Sequence, residues 1–120
     1  ERVIDAVSAG VPPELVERIN RYGGKIEGSL GVPIPAIQQA IKMGVRKINV
    51  DTDTRLAMTG AVRQVLAEKP DSFDPRDFMG AARDAVYEVV AERMRAFGSA
   101  GHAGDYKPLT LEDMIKRYQG

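Results

Sequence analysis

The chain has 120 residues, room for one modest core, and its apolar content of 43% is that of an ordinary folded protein rather than a disordered one. Lys plus Arg and Asp plus Glu are both 17, for a formal net charge of +0, so the charge balance suggests neither a nucleic-acid footprint nor attraction to an anionic membrane. Cysteine is absent and His102 is the single histidine, which removes disulfides, thiolate chemistry and any multi-histidine metal site; the sequence predicts neither a signal peptide nor a membrane span, and a reducing cytoplasm is the expected location.

Residues 3–7 read as a short strand, broken at Ser8, Ala9 and Gly10. Pro12 and Pro13 suit the first turn of a helix, where a missing N–H costs nothing. Leu15, Val16 and Ile19 give that helix an apolar face, and Gly23 and Gly24 end it. Residues 25–33 read as loop, with Gly28 and Gly31 inside. A second helix starts near Pro35, buries Ile37, Ala40 and Ile41, and stops at Gly44. A strand over 45–50 follows at once, which is the αβ half of an α/β unit. Arg46 and Lys47 are placed near its start, where long side chains reach water; a short, exposed edge strand is the other reading.

A third helix is predicted over 54–68, with Leu56, Gly60, Val62, Val65 and Leu66 on or beside one face. Lys69, Pro70 and Asp71 stop it. Asp74 caps a fourth helix, with Pro75 at its first position and Asp77 in its first turn. Its stripe is Phe78, Ala82, Ala85, Val89, Met94 and Phe97, with Val86 alongside. The run to Gly98 is long for a globular helix, and such a helix reaches toward a partner subunit or a larger parent domain. Residues 99–107 form a small-residue loop. Thr110 with Asp113 makes a capping box, Leu109 with Met114 a hydrophobic staple, and Met114, Ile115 and Tyr118 one apolar face of a last helix.

The strand over 45–50 ends in a burst of small polar groups, Asn49, Asp51, Thr52 and Asp53. Buried strands deliver polar side chains to a site at their carboxyl ends in this way. Asn49 offers a donor and an acceptor, Thr52 a hydroxyl and Asp51 a carboxylate. The following helix adds free N–H groups and its positive dipole end, so the group would hold a phosphate and a polar oxygen beside it. Thr52 or Thr54 equally suits a plain helix cap, and Asp51 and Asp53 equally suit that helix's N-terminus. Arg76, in the first turn of the long helix, opposes the dipole; it is either an anion clamp or a solvated surface arginine. His102 reads as a surface loop residue.

The order and spacing of many short segments carry a further signal. Val11-Pro12-Pro13-Glu14-Leu15-Val16, Tyr22-Gly23-Gly24 and Gly31-Val32-Pro33 come first. Gly44-Val45-Arg46-Lys47-Ile48-Asn49-Val50-Asp51-Thr52-Asp53 and Arg55-Leu56-Ala57 follow, then Asp74-Pro75-Arg76 and Phe97-Gly98-Ser99-Ala100-Gly101. From Val11 onward the chain resembles the C-terminal part of class II (metal-dependent) fructose-bisphosphate aldolases and their tagatose-bisphosphate relatives. The resemblance implies an α/β chain, the closing segment of a (β/α)8 TIM barrel. It would be mostly helical, with one or two strands, then a long helix and a short terminal one. Residues 1–120 would form a single partial domain. The implied activity is that of a lyase, reversible cleavage of fructose 1,6-bisphosphate to dihydroxyacetone phosphate and glyceraldehyde 3-phosphate. A divalent metal, usually zinc, polarises the ketose carbonyl in that family.

By the resemblance, residues 45–50 match the eighth barrel strand and Asn49 meets the enediolate. Asp51 and Thr52 lie at the dihydroxyacetone-phosphate end, Thr52 at its phosphate, and Arg76 meets the other phosphate, in a neighbouring subunit's site or its own. The family's seventh strand ends in a His-Gly-x-Ser-type motif whose metal-binding histidine, glycine and serine fall on Ala6, Val7 and Ala9, with Ser8 one place from the serine. The other metal histidines and the proton-transferring aspartate belong to earlier strands. The sequence therefore predicts no metal site on this chain and only part of a phosphate site. Its expected partners are the sugar bisphosphate and either the rest of the barrel or a second copy of itself, with no nucleic acid and no membrane. The competing expectation is a non-catalytic helical scaffold that has lost the metal site.

Overall fold

The computed structural model describes residues 6–8, 12–27 and 31–119, the first three by their backbone alone. Strand β1 (Ala6–Ser8) pairs in parallel with β2 (Lys47–Asn49), placing Ala6 beside Lys47, Val7 beside Ile48 and Ser8 beside Asn49. Parallel neighbours require a crossover. Here it contains two helices, α1 (Pro13–Arg21) and α2 (Ile34–Lys42). Proline opens both helices as expected, since Pro12 and Pro33 hold extended backbone at the N-caps. α1 ends where Gly23 takes φ 85°, and α2 where Gly44 takes φ 110°, conformations that glycine adopts without a Cβ clash.

Helix α3 (Thr52–Glu68) leaves the end of β2, and α4 (Pro75–Ala96) returns along it. The main helix contacts among the described residues are α3 on α4 and α1 on α3. A 3₁₀ turn over Ala103–Asp105 breaks the loop expected over 99–107, and α5 (Leu111–Gln119) closes the chain. The predicted capping box is present: Thr110 Oγ1 accepts from the Asp113 N–H at 3.1 Å, and Asp113 Oδ2 accepts from the Thr110 N–H at 3.4 Å. No described helix is long and apolar enough to cross a membrane.

Three local expectations shift. β2 is trimmed to three residues, so Asn49 is its last residue. α3 begins at Thr52 rather than 54, so Thr52 belongs to the helix. The predicted strand over 3–7 overlaps β1 at Ala6 and Val7, while Ser8, expected to break it, still pairs; positions 3–5, 9–11 and 28–30 lie outside the described residues.

The core is thin. Among the described residues its buried apolar side chains are Ile19, Ile37, Ala57, Ala61, Ala82 and Val89, half of them alanine. The buried face of α3 is Asp53, Ala57, Gly60 and Ala61, not the larger Leu56, Val62, Val65 and Leu66 expected. Two helices clamp α3, and small residues let their backbones approach; the larger side chains flank that seam, and Leu66 is 42% exposed. The accessible surface of 9280 Å² exceeds the roughly 6,400 Å² expected of a compact monomer of this mass. The radius of gyration, 18.7 Å, likewise exceeds the roughly 13.6 Å expected for this length. An apolar face lies open on α5, where Leu111, Ile115 and Tyr118 are exposed.

Candidate functional site

The polar residues after β2 gather where a parallel strand hands over to a helix. Asn49 ends the strand, in register with Ser8 on β1. Lys47, two residues earlier and therefore on the same face, donates from Nζ to Asn49 Oδ1. The amide thereby has its acceptor side engaged by a cation and presents Nδ2 as a donor. Lys47 is exposed, as the basic pair at the strand start was expected to be, and Arg46 turns back to the carbonyls of Ile41 and Val45, each at 3.3 Å.

Asp51 occupies the N-cap of α3, but its side chain does not cap. Its Oδ1 accepts from Arg55 Nε at 2.8 Å, an exposed pair one turn apart. The helix start is instead fastened by Thr54, whose hydroxyl donates to the Asp51 carbonyl at 2.7 Å. Thr52 is exposed at the first position of the helix, where orphan N–H groups and the dipole favour an anion. Asn49, Asp51 and Thr52 are thus brought together within four residues of backbone, all exposed, on one open rim.

Arg76 is placed elsewhere. Asp53, beside Thr52, pairs with Arg93 of α4, and Arg76 lies 17 residues before Arg93 on the same helix, about 25 Å along its axis. The fold of one chain does not bring Arg76 to the rim of Asn49 and Thr52. Its side chain, 90% exposed, folds onto Asp74, with Nε 3.0 Å from both carboxylate oxygens. Asp74 also accepts from the Arg76 N–H at 2.9 Å, the cap predicted for α4. The guanidinium, then this backbone N–H, hold the Asp74 carboxyl below the usual carboxylate range, and Asp74 in turn raises Arg76.

Among the described residues, no group of three or more His, Cys, Asp or Glu is placed to hold a metal ion. Asp51 is engaged by Arg55 and Asp53 by Arg93, while His102 Nδ1 lies 2.6 Å from Asp105 Oδ2 on an exposed loop. These donors do not fit a resident metal. Sequence reasoning missed Arg93, which is 3% exposed. The signal was there: Arg93 continues the stripe of Ala82, Val86 and Val89 at helical spacing, and a charge inside an apolar stripe needs a buried partner. The stripe expected to include Met94 carries Arg93 instead, and Met94 is 51% exposed.

Comparison with known proteins assigns the relatives. A family model described as fructose-bisphosphate aldolase class-II matches residues 10–102, a span that contains Asn49, Asp51, Thr52 and Arg76 but begins after Ala6, Val7 and Ala9. The chain is 55% identical over 112 residues to the fructose-bisphosphate aldolase of Giardia intestinalis, covering 93% of this chain and 35% of that protein. It is 50% identical over 111 residues to that of Xanthobacter flavus, covering 92% and 31%. It is 47% identical over 111 residues to that of Pseudomonas aeruginosa, with the same coverage of 92% and 31%. The chain therefore spans about a third of the length of the curated relatives it matches.

Proposed function

Because the chain belongs to the class II fructose-bisphosphate aldolase family, we propose that it supplies one side of the substrate site for reversible aldol cleavage of fructose 1,6-bisphosphate, within a longer enzyme. The family's fold is the (β/α)8 barrel, and this helix-rich chain is a partial segment of it. In this reading β2 is the last barrel strand, residues 1–120 are one partial domain, and the enzyme works in the cytoplasm. Its divalent metal, zinc, is held by residues outside this chain. The observation that carries the reading is the rim of Asn49, Asp51 and Thr52 at the β2–α3 junction, inside the span matched to the family.

Cleavage breaks the bond between the carbons α and β to the ketose carbonyl. The electron pair passes into an enediolate, and the departing half becomes an aldehyde as its hydroxyl loses a proton to a base outside this chain. Asn49 Nδ2 donates to an enediolate oxygen, and the bond strengthens as negative charge develops. The Lys47 ammonium on Asn49 Oδ1 fixes that orientation and adds positive charge. Thr52 and the first-turn N–H groups of α3 receive the phosphate of the dihydroxyacetone half. Asp51, held by Arg55, borders that end. Arg76 clamps the second phosphate in the site of a neighbouring subunit, since its own chain holds it far from the rim.

Steady-state kinetics of Asn49→Ala in the longer enzyme tests the assignment. Turnover should fall by roughly a hundredfold, with a much smaller change in KM. A KM effect alone would remove Asn49 from the reacting atoms.

A second reading has its own support. Ala6 and Val7 stand where the resemblance puts a metal histidine and a phosphate-binding glycine, and the open apolar face of α5 suits assembly. A chain of that kind would be a helical scaffold without chemistry. It predicts no turnover in the longer protein, with divalent metal supplied.

A further inference from the structure

The one buried ion pair described in the molecule lies directly behind the candidate phosphate position. Arg93 Nε donates to Asp53 Oδ2 at 2.9 Å, with side chains 4% and 1% exposed. The other carboxylate oxygen of Asp53 accepts from the Thr54 N–H at 3.2 Å. Arg93 Nη1 also reaches Glu92 Oε1 at 3.4 Å. The pair ties the first turn of α3 to the late part of α4, and Asp53 is the next residue after Thr52.

A buried ion pair is a weak way to gain stability. Removing two charges from water costs about as much as their attraction returns, so a well-packed apolar pair would hold α3 to α4 as firmly. What the ion pair adds is direction. A guanidinium is a planar fork, and a carboxylate engaged through both oxygens has little freedom to rotate. The turn needs such a fixture for two reasons. Asp51 does not cap α3 with its side chain, so the start of the helix rests on the Thr54 hydroxyl, which donates to the Asp51 carbonyl, and on this pair. Beside the pair, a hollow of about 200 Å³ lined by Val50, Thr54, Val90, Arg93, Met94 and Phe97 opens to the surface, so side chains do not fill the space on that side of the turn.

We infer that Asp53 and Arg93 are positioning residues: their ion pair sets the start of α3 and so holds Thr52 and the first-turn N–H groups in the geometry that receives a phosphate. The inference rests on the aldolase reading for the identity of the substrate, but the phosphate geometry can be read without turnover.

The test uses the full-length protein carrying this chain, with inorganic phosphate as the probe. In the double variant Asp53→Leu with Arg93→Met, helix packing should survive and the thermal midpoint should stay within a few degrees of the parent. The dissociation constant for inorganic phosphate, measured by calorimetry, should rise at least tenfold, and KM for the bisphosphate should rise with it. An unchanged phosphate constant at an unchanged midpoint would overturn the inference and leave a mere helix staple. Should the double variant fail to fold, Arg93→Lys decides. A folded Arg93→Lys protein that binds phosphate as the parent does contradicts the inference, and a tenfold loss supports it. Absence of aldol cleavage in a parent that binds phosphate would count against the aldolase reading alone, whereas a parent that binds no phosphate overturns the inference itself.

Discussion

Asp74 accepts from both the guanidinium and the backbone N–H of Arg76, and those bonds depress its pKa. A depressed carboxyl stabilises the fold above its ordinary pKa, about 3.9, and that stabilisation fades as pH falls through the lower folded value. The thermal midpoint of the parent should therefore exceed that of Asp74→Asn at neutral pH, and the gap should close in acid below the ordinary carboxylate range; a gap independent of pH would contradict the ionic part of the cap. Arg76 has a second test. If it serves a neighbour's site, mixing impaired Arg76→Ala subunits with impaired Asn49→Ala subunits should raise turnover above that of either variant alone, because some mixed sites keep both residues. No recovery on mixing would return Arg76 to its cap. The placement of Asn49, Asp51 and Thr52 at a strand-to-helix junction was legible in the sequence because a strand ends abruptly in polar side chains. The stripe of α4 signalled a buried Arg93, but its partner Asp53 was not legible, since the two lie 40 residues apart and no local pattern reports such a distance.

Helices were easier to read than their contacts. The helix-opening prolines, the Asp74 cap and the Thr110–Asp113 box are local chemistry, and each helix lies within a few residues of its expected place. The face of α3 was misread because large apolar residues mark a core only where one neighbour packs, and here two do. β2 came out short because strand length is set by the partner strand, and β1 pairs over three residues. Two glycines test this packing with opposite signs. A Cβ at Gly24 would lie 2.3 Å from Ile19 Cγ2 and 2.7 Å from the Ile19 carbonyl oxygen, so Gly24→Ala should destabilise by about 1–3 kcal/mol. A Cβ at Gly80, inside α4, meets nothing within 4 Å, and Gly80→Ala should stabilise by about 0.5–1 kcal/mol. Urea denaturation midpoints check both, and equal shifts in the same direction would mean the α1 turn is looser than described.

At the scale of the whole molecule, the two short parallel strands and the half-alanine core of the described residues go with a surface and a radius larger than those of a compact monomer of this size. The barrel-segment class was legible from the resemblance, but the openness was not, because burial depends on what covers a face. The isolated chain should therefore associate with itself, with the exposed apolar face of α5 taking part. Light scattering combined with amide exchange checks this: assemblies or weak protection are expected, and a protected monomer at low concentration would contradict it. The central claim is that this chain contributes part of a substrate site and completes none by itself. Cleavage of fructose 1,6-bisphosphate, assayed with zinc on the 120-residue chain and on the longer enzyme that contains it, tests that claim most directly. The account predicts turnover by the longer enzyme and none by the chain above the zinc-only background; turnover by the chain alone, or none by the longer enzyme, would contradict it.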